Sequence, residues 1–164
     1  MRPAVLPSLL IAGLVVVPAL TAAPPTEEEP NEAVKKELAA LVGKYQGVSA
    51  ETAGGPMGEE FAAGFEVSFA ADGTGVGTIP GGAAIQYKII IDPAAEPKTM
   101  DIVHTGGVHN GQTQYCVYER DENGVTVCVT RPGAKPEERP ASLKPGPGHV
   151  RLGFKKIEEK PDDA

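Results

Sequence analysis

The chain has 164 residues, enough for one ordinary domain and too few for two. With 41% hydrophobic and 23% charged residues it is not a chain disordered throughout. A net charge of -7 argues against nucleic acid or anionic membrane surfaces as partners. Twenty glycines and 16 prolines point to many turns and few long helices.

The first 23 residues have the layout of an export signal. Arg2 supplies the positive start, LLIAGLVVVPAL (residues 9–20) an apolar run, and Thr21-Ala22-Ala23 the small residues of a cleavage site. Pro24 disfavours a cut directly before it, which leaves cleavage one or two residues earlier open. The apolar run is shorter than the roughly 20 residues a membrane span needs, and Pro18 interrupts it. Retention as an uncleaved anchor is the competing reading; no stable membrane insertion is expected after cleavage. The expected destination is the periplasm, the cell envelope or the exterior.

Residues 24–30, PPTEEEP, read as an extended acidic linker, because proline and like charge both oppose compaction. A single domain is expected over 31–160. Asn31 is placed to cap a helix over 31–42, whose apolar residues Val34, Leu38, Leu41 and Val42 share one face, with Gly43 ending it. The pattern then switches to period two. Strands are expected near Lys44–Glu51, around Phe65-Val67-Phe69, over Thr74–Ile79, along Ile85-Tyr87-Ile89-Ile91, around Met100 and Ile102, over Gln112–Arg120, Val125–Thr130 and His149–Ile157. Gly54-Gly55-Pro56, Asp72-Gly73, Pro80-Gly81-Gly82 and Asp121–Gly124 are turns, and Glu59–Ala63 one helical turn. About eight strands at short, regular spacing suggest an all-β sandwich or barrel, and successive hairpin-like connections favour an antiparallel up-and-down barrel with a short N-terminal helix. Arg131–Gly148, with five prolines and no periodicity, is too long for a tight turn. It is expected to be an ordered loop strapped over one barrel end, or else an irregular connection with no ligand role.

No catalytic, metal-binding or cofactor constellation stands out. Cys116 and Cys128 lie on the two arms of one hairpin. A three-residue loop would set them opposite each other and allow a disulfide worth about 3 kcal/mol; a four-residue loop would put them on opposite faces. Two buried free thiols are the alternative. His104, His109 and His149 lack ligand-type spacing, although His104 and His109 flank one loop where a weak metal site is conceivable. The glycine clusters 73–77 and 106–111 are not phosphate loops, since no strand–helix junction or Gly-Lys-Ser/Thr accompanies them. Glu66 and Glu119 are the carboxylates inside strands, and would do acid–base work only if both faced a lumen. Tyr45, Tyr87, Tyr115 and Tyr118 all fall in strands, where packing with the hydroxyl satisfied competes with lining a ligand.

LVGKYQGVSAE (41–51), PKTMDIVHTG (97–106), Gly111–Cys128 ending in VYERDENGVTVC, ERP (138–140) and KPGPGHVRLGFKK (144–156) occur here in that order. Together they resemble a domain family of about one hundred residues that is expanded in planctomycete bacteria and has no assigned function. The resemblance runs from about Glu37 to Ile157 and implies export and a lipocalin-like antiparallel barrel. Tyr118-Glu119, Cys128, Pro97-Lys98-Thr99 and Gly148-His149 match residues recurrent in that family. Tyr45 stands where Trp is usual there, and Cys116 where a small residue is common, so a disulfide would be a local addition.

These readings converge on an exported binding module for a small, partly apolar molecule or a peptide, received at the barrel mouth or on Arg131–Gly148. Tyr45, Tyr87, Tyr118, Glu119 and His149 are its candidate lining residues. A structural or interaction protein of the cell envelope is the alternative, and a hydrolase using barrel-facing carboxylates ranks behind it. No cofactor is expected, and the oligomeric state is left open.

Overall fold

The structure is a computed structural model and describes residues 31–158. The export segment 1–23, the linker 24–30 and the last residues of the expected domain, 159–160, lie outside the described residues.

Helix α1 spans Glu32–Leu41 and starts as the sequence reads: the Asn31 side chain accepts a 2.9 Å hydrogen bond from the Val34 N–H. Its inner face buries Leu38 and Leu41, each stabilising by about 2 kcal/mol. Gly43 turns the chain out of the helix with φ 141, and a Cβ there would collide with the Lys156 side chain. Strand β1 (Gly43–Thr52) follows, then the two-residue strand β2 (Gly55–Pro56), helix α2 (Glu59–Ala63), β3 (Glu66–Phe69), β4 (Thr74–Ile79), β5 (Ala83–Asp92), β6 (Thr99–Gly107), β7 (Thr113–Arg120), β8 (Gly124–Thr130) and β9 (His149–Ile157).

Every pairing is antiparallel: β3 pairs with β1, and from β3 to β9 each strand pairs with the next in sequence. Pairing of β1 with β9, from Lys44↔Ile157 to Thr52↔Val150, closes the sheet into an eight-stranded up-and-down barrel. Closure removes the exposed sheet margins. β2 is an extra pairing, folded back on the end of β1 where the sequence reads only a turn.

Alternation decides which residues face inward. Along β5, Ile85, Tyr87, Ile89 and Ile91 are buried, while Gln86, Lys88, Ile90 and Asp92 are exposed. Tyr87 lies across Gly75 of β4, where a Cβ would strike its ring, and its hydroxyl donates to the Ser68 carbonyl at 2.8 Å.

The two barrel ends differ. At the lower end α1 forms a plug: the Tyr45 hydroxyl donates to the Leu41 carbonyl at 2.9 Å, and Glu37 is tied to Lys98 before β6 and Arg120 at the end of β7. At the upper end, α2, the β4–β5 turn, the β6–β7 turn and the two ends of the 131–148 segment surround a mouth.

Two expectations change. The disulfide between Cys116 and Cys128 does not form: the register pairs Cys116 with Val129 and Val117 with Cys128, around the four-residue loop 121–124. Asp121 holds that loop, its carboxylate accepting from the Asn123 and Gly124 N–H groups at 2.7 and 2.9 Å. The odd register sum sends Cys116 inward and Cys128 outward. Both are buried free thiols, and burial pushes both thiols up in pKa, away from thiolate chemistry. The 131–148 segment is ordered, but it straps the outer wall rather than crossing the barrel end. Arg139 pins it there, donating to the Cys116 carbonyl at 2.9 Å and to Asp101 at 2.6 Å, with its guanidinium 5.2 Å from the Tyr115 ring centre. Val117 and Cys128 face outward yet are 1% and 0% exposed, and the strap is the cover this requires.

Candidate functional site

Inside the upper half of the barrel is a cavity of about 440 Å³, within the range of small-molecule sites. Tyr87 and Met100 lie toward its base; Ile85, Ile102, Val127 and Val129 line its walls. Phe65 bridges toward the mouth, edge-on to both Phe61 of α2 (5.4 Å between ring centres) and Phe154 of β9 (6.4 Å). Beneath the cavity a second aromatic chain, Tyr45–Phe69–Tyr87, fills the barrel with edge contacts of 5.7 and 5.8 Å. The inside of this barrel is therefore packed below and open above.

The polar residues around the cavity are His104, His109, Gln114, Thr130 and Arg131, all toward the mouth, with Thr130 meeting Gln114 through its backbone carbonyl. His104 of β6 and Gln114 of β7 both point inward, with His104 Nε2 at 2.8 Å from Gln114 Oε1. The Gln114 amide nitrogen donates to the Thr130 carbonyl at 2.7 Å. A carbonyl only accepts, so the amide oxygen must face the histidine and Nε2 must carry the proton. In the neutral ring Nδ1 is then a bare acceptor. It is buried and has no hydrogen-bond partner among the described residues. Burial, with the neighbouring His109 adding to it, holds the His104 pKa below the usual histidine range, although the Gln114 bond opposes this. Burial therefore favours the neutral ring.

His104 and His109, read as flanking one loop, do come together, with ring centres 5.3 Å apart and planes at 70°. Among the described residues no group of three or more His, Cys, Asp or Glu is placed to hold a metal. His149 is engaged elsewhere, its Nε2 2.9 Å from the Glu138 carbonyl of the strap.

Of the five candidate lining residues, Tyr87 lines the cavity. Tyr45 and Tyr118 face inward but sit in the packed lower half, their hydroxyls bound to Leu41 and Glu37. Glu119 is on the outer face and exposed, and His149 stands outside the mouth. Glu66 is also exposed, so the two strand carboxylates share no lumen and supply no acid–base pair there. The sequence reading did not pair His104 with Gln114. Parity along β6 (Met100, Ile102, His104) and β7 (Gln114, Cys116, Tyr118) places both inside, but their meeting depends on the β6–β7 register.

The fold and cavity define the class: a closed eight-stranded antiparallel barrel with one end plugged and an apolar chamber at the other. Compared with known proteins, the chain matches no family model, no curated protein and no solved structure.

Proposed function

We propose that this chain is an exported binding module whose barrel receives a small, largely apolar molecule. The observation that carries the reading is the 440 Å³ chamber walled by aliphatic and aromatic side chains above a packed floor. Its volume suits a small molecule better than a peptide, for which the strap, pinned flat against the wall, offers no groove. Export rests on the first 23 residues and on the family resemblance of the mature segment. The outward placement of Glu66 and Glu119 removes support from the hydrolase reading.

Native mass spectrometry of the mature protein from its own source is the direct test, since it reports cleavage and retained ligand together. Val129→Phe, which fills the chamber from β8, is expected to abolish uptake of an apolar fluorophore while leaving the thermal midpoint within a few degrees. Undiminished uptake by that variant would place the binding elsewhere.

A further inference from the structure

We propose that the molecule taken up by this chamber is an apolar body carrying one neutral hydrogen-bond donor, an alcohol hydroxyl, and that His104 Nδ1 accepts it. The inference rests on the chamber being a binding site and goes further by specifying the head group.

Three observations lead there. First, the polar residues of the chamber gather at one end, so a ligand with a single polar group has one orientation, head toward the mouth and body against Tyr87 and Met100. Second, among the buried side-chain atoms at that end one lacks a partner, while His109 and Arg131 on the rim are partly or mostly exposed. Gln114 uses its oxygen on His104 and its nitrogen on Thr130, and the Thr130 hydroxyl accepts from the Tyr115 N–H at 2.9 Å. The unpaired atom is His104 Nδ1, on a ring only 2% exposed and without a partner among the described residues. A buried acceptor left unpaired is unfavourable by roughly 1–3 kcal/mol, and a donor arriving with the ligand recovers it. Third, the tautomer forced by Gln114 makes that nitrogen an acceptor and not a donor. An alcohol O–H complements it. A carboxylate would oppose its lone pair to a lone pair, and an ether oxygen or an alkane would leave the nitrogen unpaired.

Nδ1 is sealed from solvent in the structure, and the His109 ring stands edge-on to His104 at the mouth. His109 is on the β6–β7 turn and half-buried, so its outward rotation is the movement that lets a hydroxyl reach the nitrogen. Arg131 on the rim is mostly exposed and lies 3.5 Å from Glu138, so it is a weak anchor for an anionic head.

Calorimetric titration of the protein, produced with its N-terminal segment and purified after export, separates the possibilities with four probes sharing one chain length: decane, decyl methyl ether, decanol and decanoate. Decanol is expected to bind about tenfold tighter than decane or the ether, the equivalent of one recovered hydrogen bond, and tighter than decanoate at pH 7.5. In His104→Phe, which keeps a flat ring in the wall, the preference for decanol over decane should vanish while decane still binds. Nitrogen NMR of the unsubstituted protein gives an independent reading. His104 should show the Nε2–H tautomer, and decanol, but not decane, should shift the Nδ1 resonance. Equal binding of decane, ether and decanol, decanoate binding at least as tightly as decanol, or a protonated Nδ1 would overturn the head-group assignment and leave the chamber reading standing. Binding of none of the four would remove both.

Discussion

The two halves of the barrel treat buried polar groups in opposite ways. In the lower half Glu37 enters on α1 and meets a partner at both oxygens. Lys98 Nζ (2.9 Å) and the Tyr118 hydroxyl (3.2 Å) donate to one, Arg120 (3.1 Å) to the other, and only the Arg120 Nε–H is left over. Burial alone would raise the Glu37 pKa, but the bonds from Lys98 and Arg120 outweigh it and hold the carboxyl below its usual range. In the upper half His104 is buried to a similar degree and left with an unpaired acceptor. A satisfied charge cluster holds a helix in place, whereas the unpaired neutral acceptor beside the chamber is the group we propose for recognition.

That contrast can be broken by exchanging the effects. The largest stability change is expected from Glu37→Gln, which leaves Lys98 and Arg120 without their counter-charge. Both retain water contact, so the loss should be about 2 kcal/mol in urea unfolding, below the figure for a fully buried pair, with ligand affinity unchanged. A loss of affinity in that variant would mean that the plug and the chamber are coupled. Acid unfolding sharpens the comparison next. Glu37 has a depressed folded pKa, so its contribution is complete above the unfolded value near 4.5 and is lost as pH falls through the folded one. His104 is also depressed, so its unfolded form takes a proton first. Stability should therefore begin to fall below about pH 6.5, before Glu37 titrates. Unfolding midpoints measured from pH 8 to pH 3 should show two descending limbs, the upper one absent in His104→Phe and the lower one shallower in Glu37→Gln, where Asp72 and Glu138, also held below the usual carboxylate range, still titrate. The smallest change is expected from Gln114→Leu. It frees Nε2 of its acceptor and the Thr130 carbonyl of its donor, for about 1 kcal/mol of stability, and it releases the tautomer. Nitrogen NMR of that variant should show a mixture of Nδ1–H and Nε2–H forms; a pure Nε2–H ring would show that something other than Gln114 sets the proton.

Much of the architecture was legible in local pattern. Asn31, the spacing of Val34, Leu38 and Leu41, and Gly43 delimit α1 because helix caps and a 3.6-residue period are properties of a short stretch of chain. Alternation sufficed for β4, β5 and β9, whose observed bounds fall within two residues of those expected. The strap was legible as a long proline-rich segment but not its course. Its place on the wall follows from Arg139 reaching Asp101 and Cys116, partners 38 and 23 residues away. The thiols show the limit most sharply. Both loop lengths were open from the residues Asp121–Gly124, and a difference of one residue decided between a bond and two opposed faces.

For this chain, then, the amino-acid order alone determined a capped amphipathic helix and a series of strands that alternate apolar and polar residues. Each of these depends on interactions within a few residues, which a local pattern records. The tertiary structure decided that one half of the interior is packed and the other hollow, that α1 is held by Glu37 across the chain, and that His104 and Gln114 meet. Those outcomes depend on register and side-chain volume summed over eight strands, and no single segment carries that information.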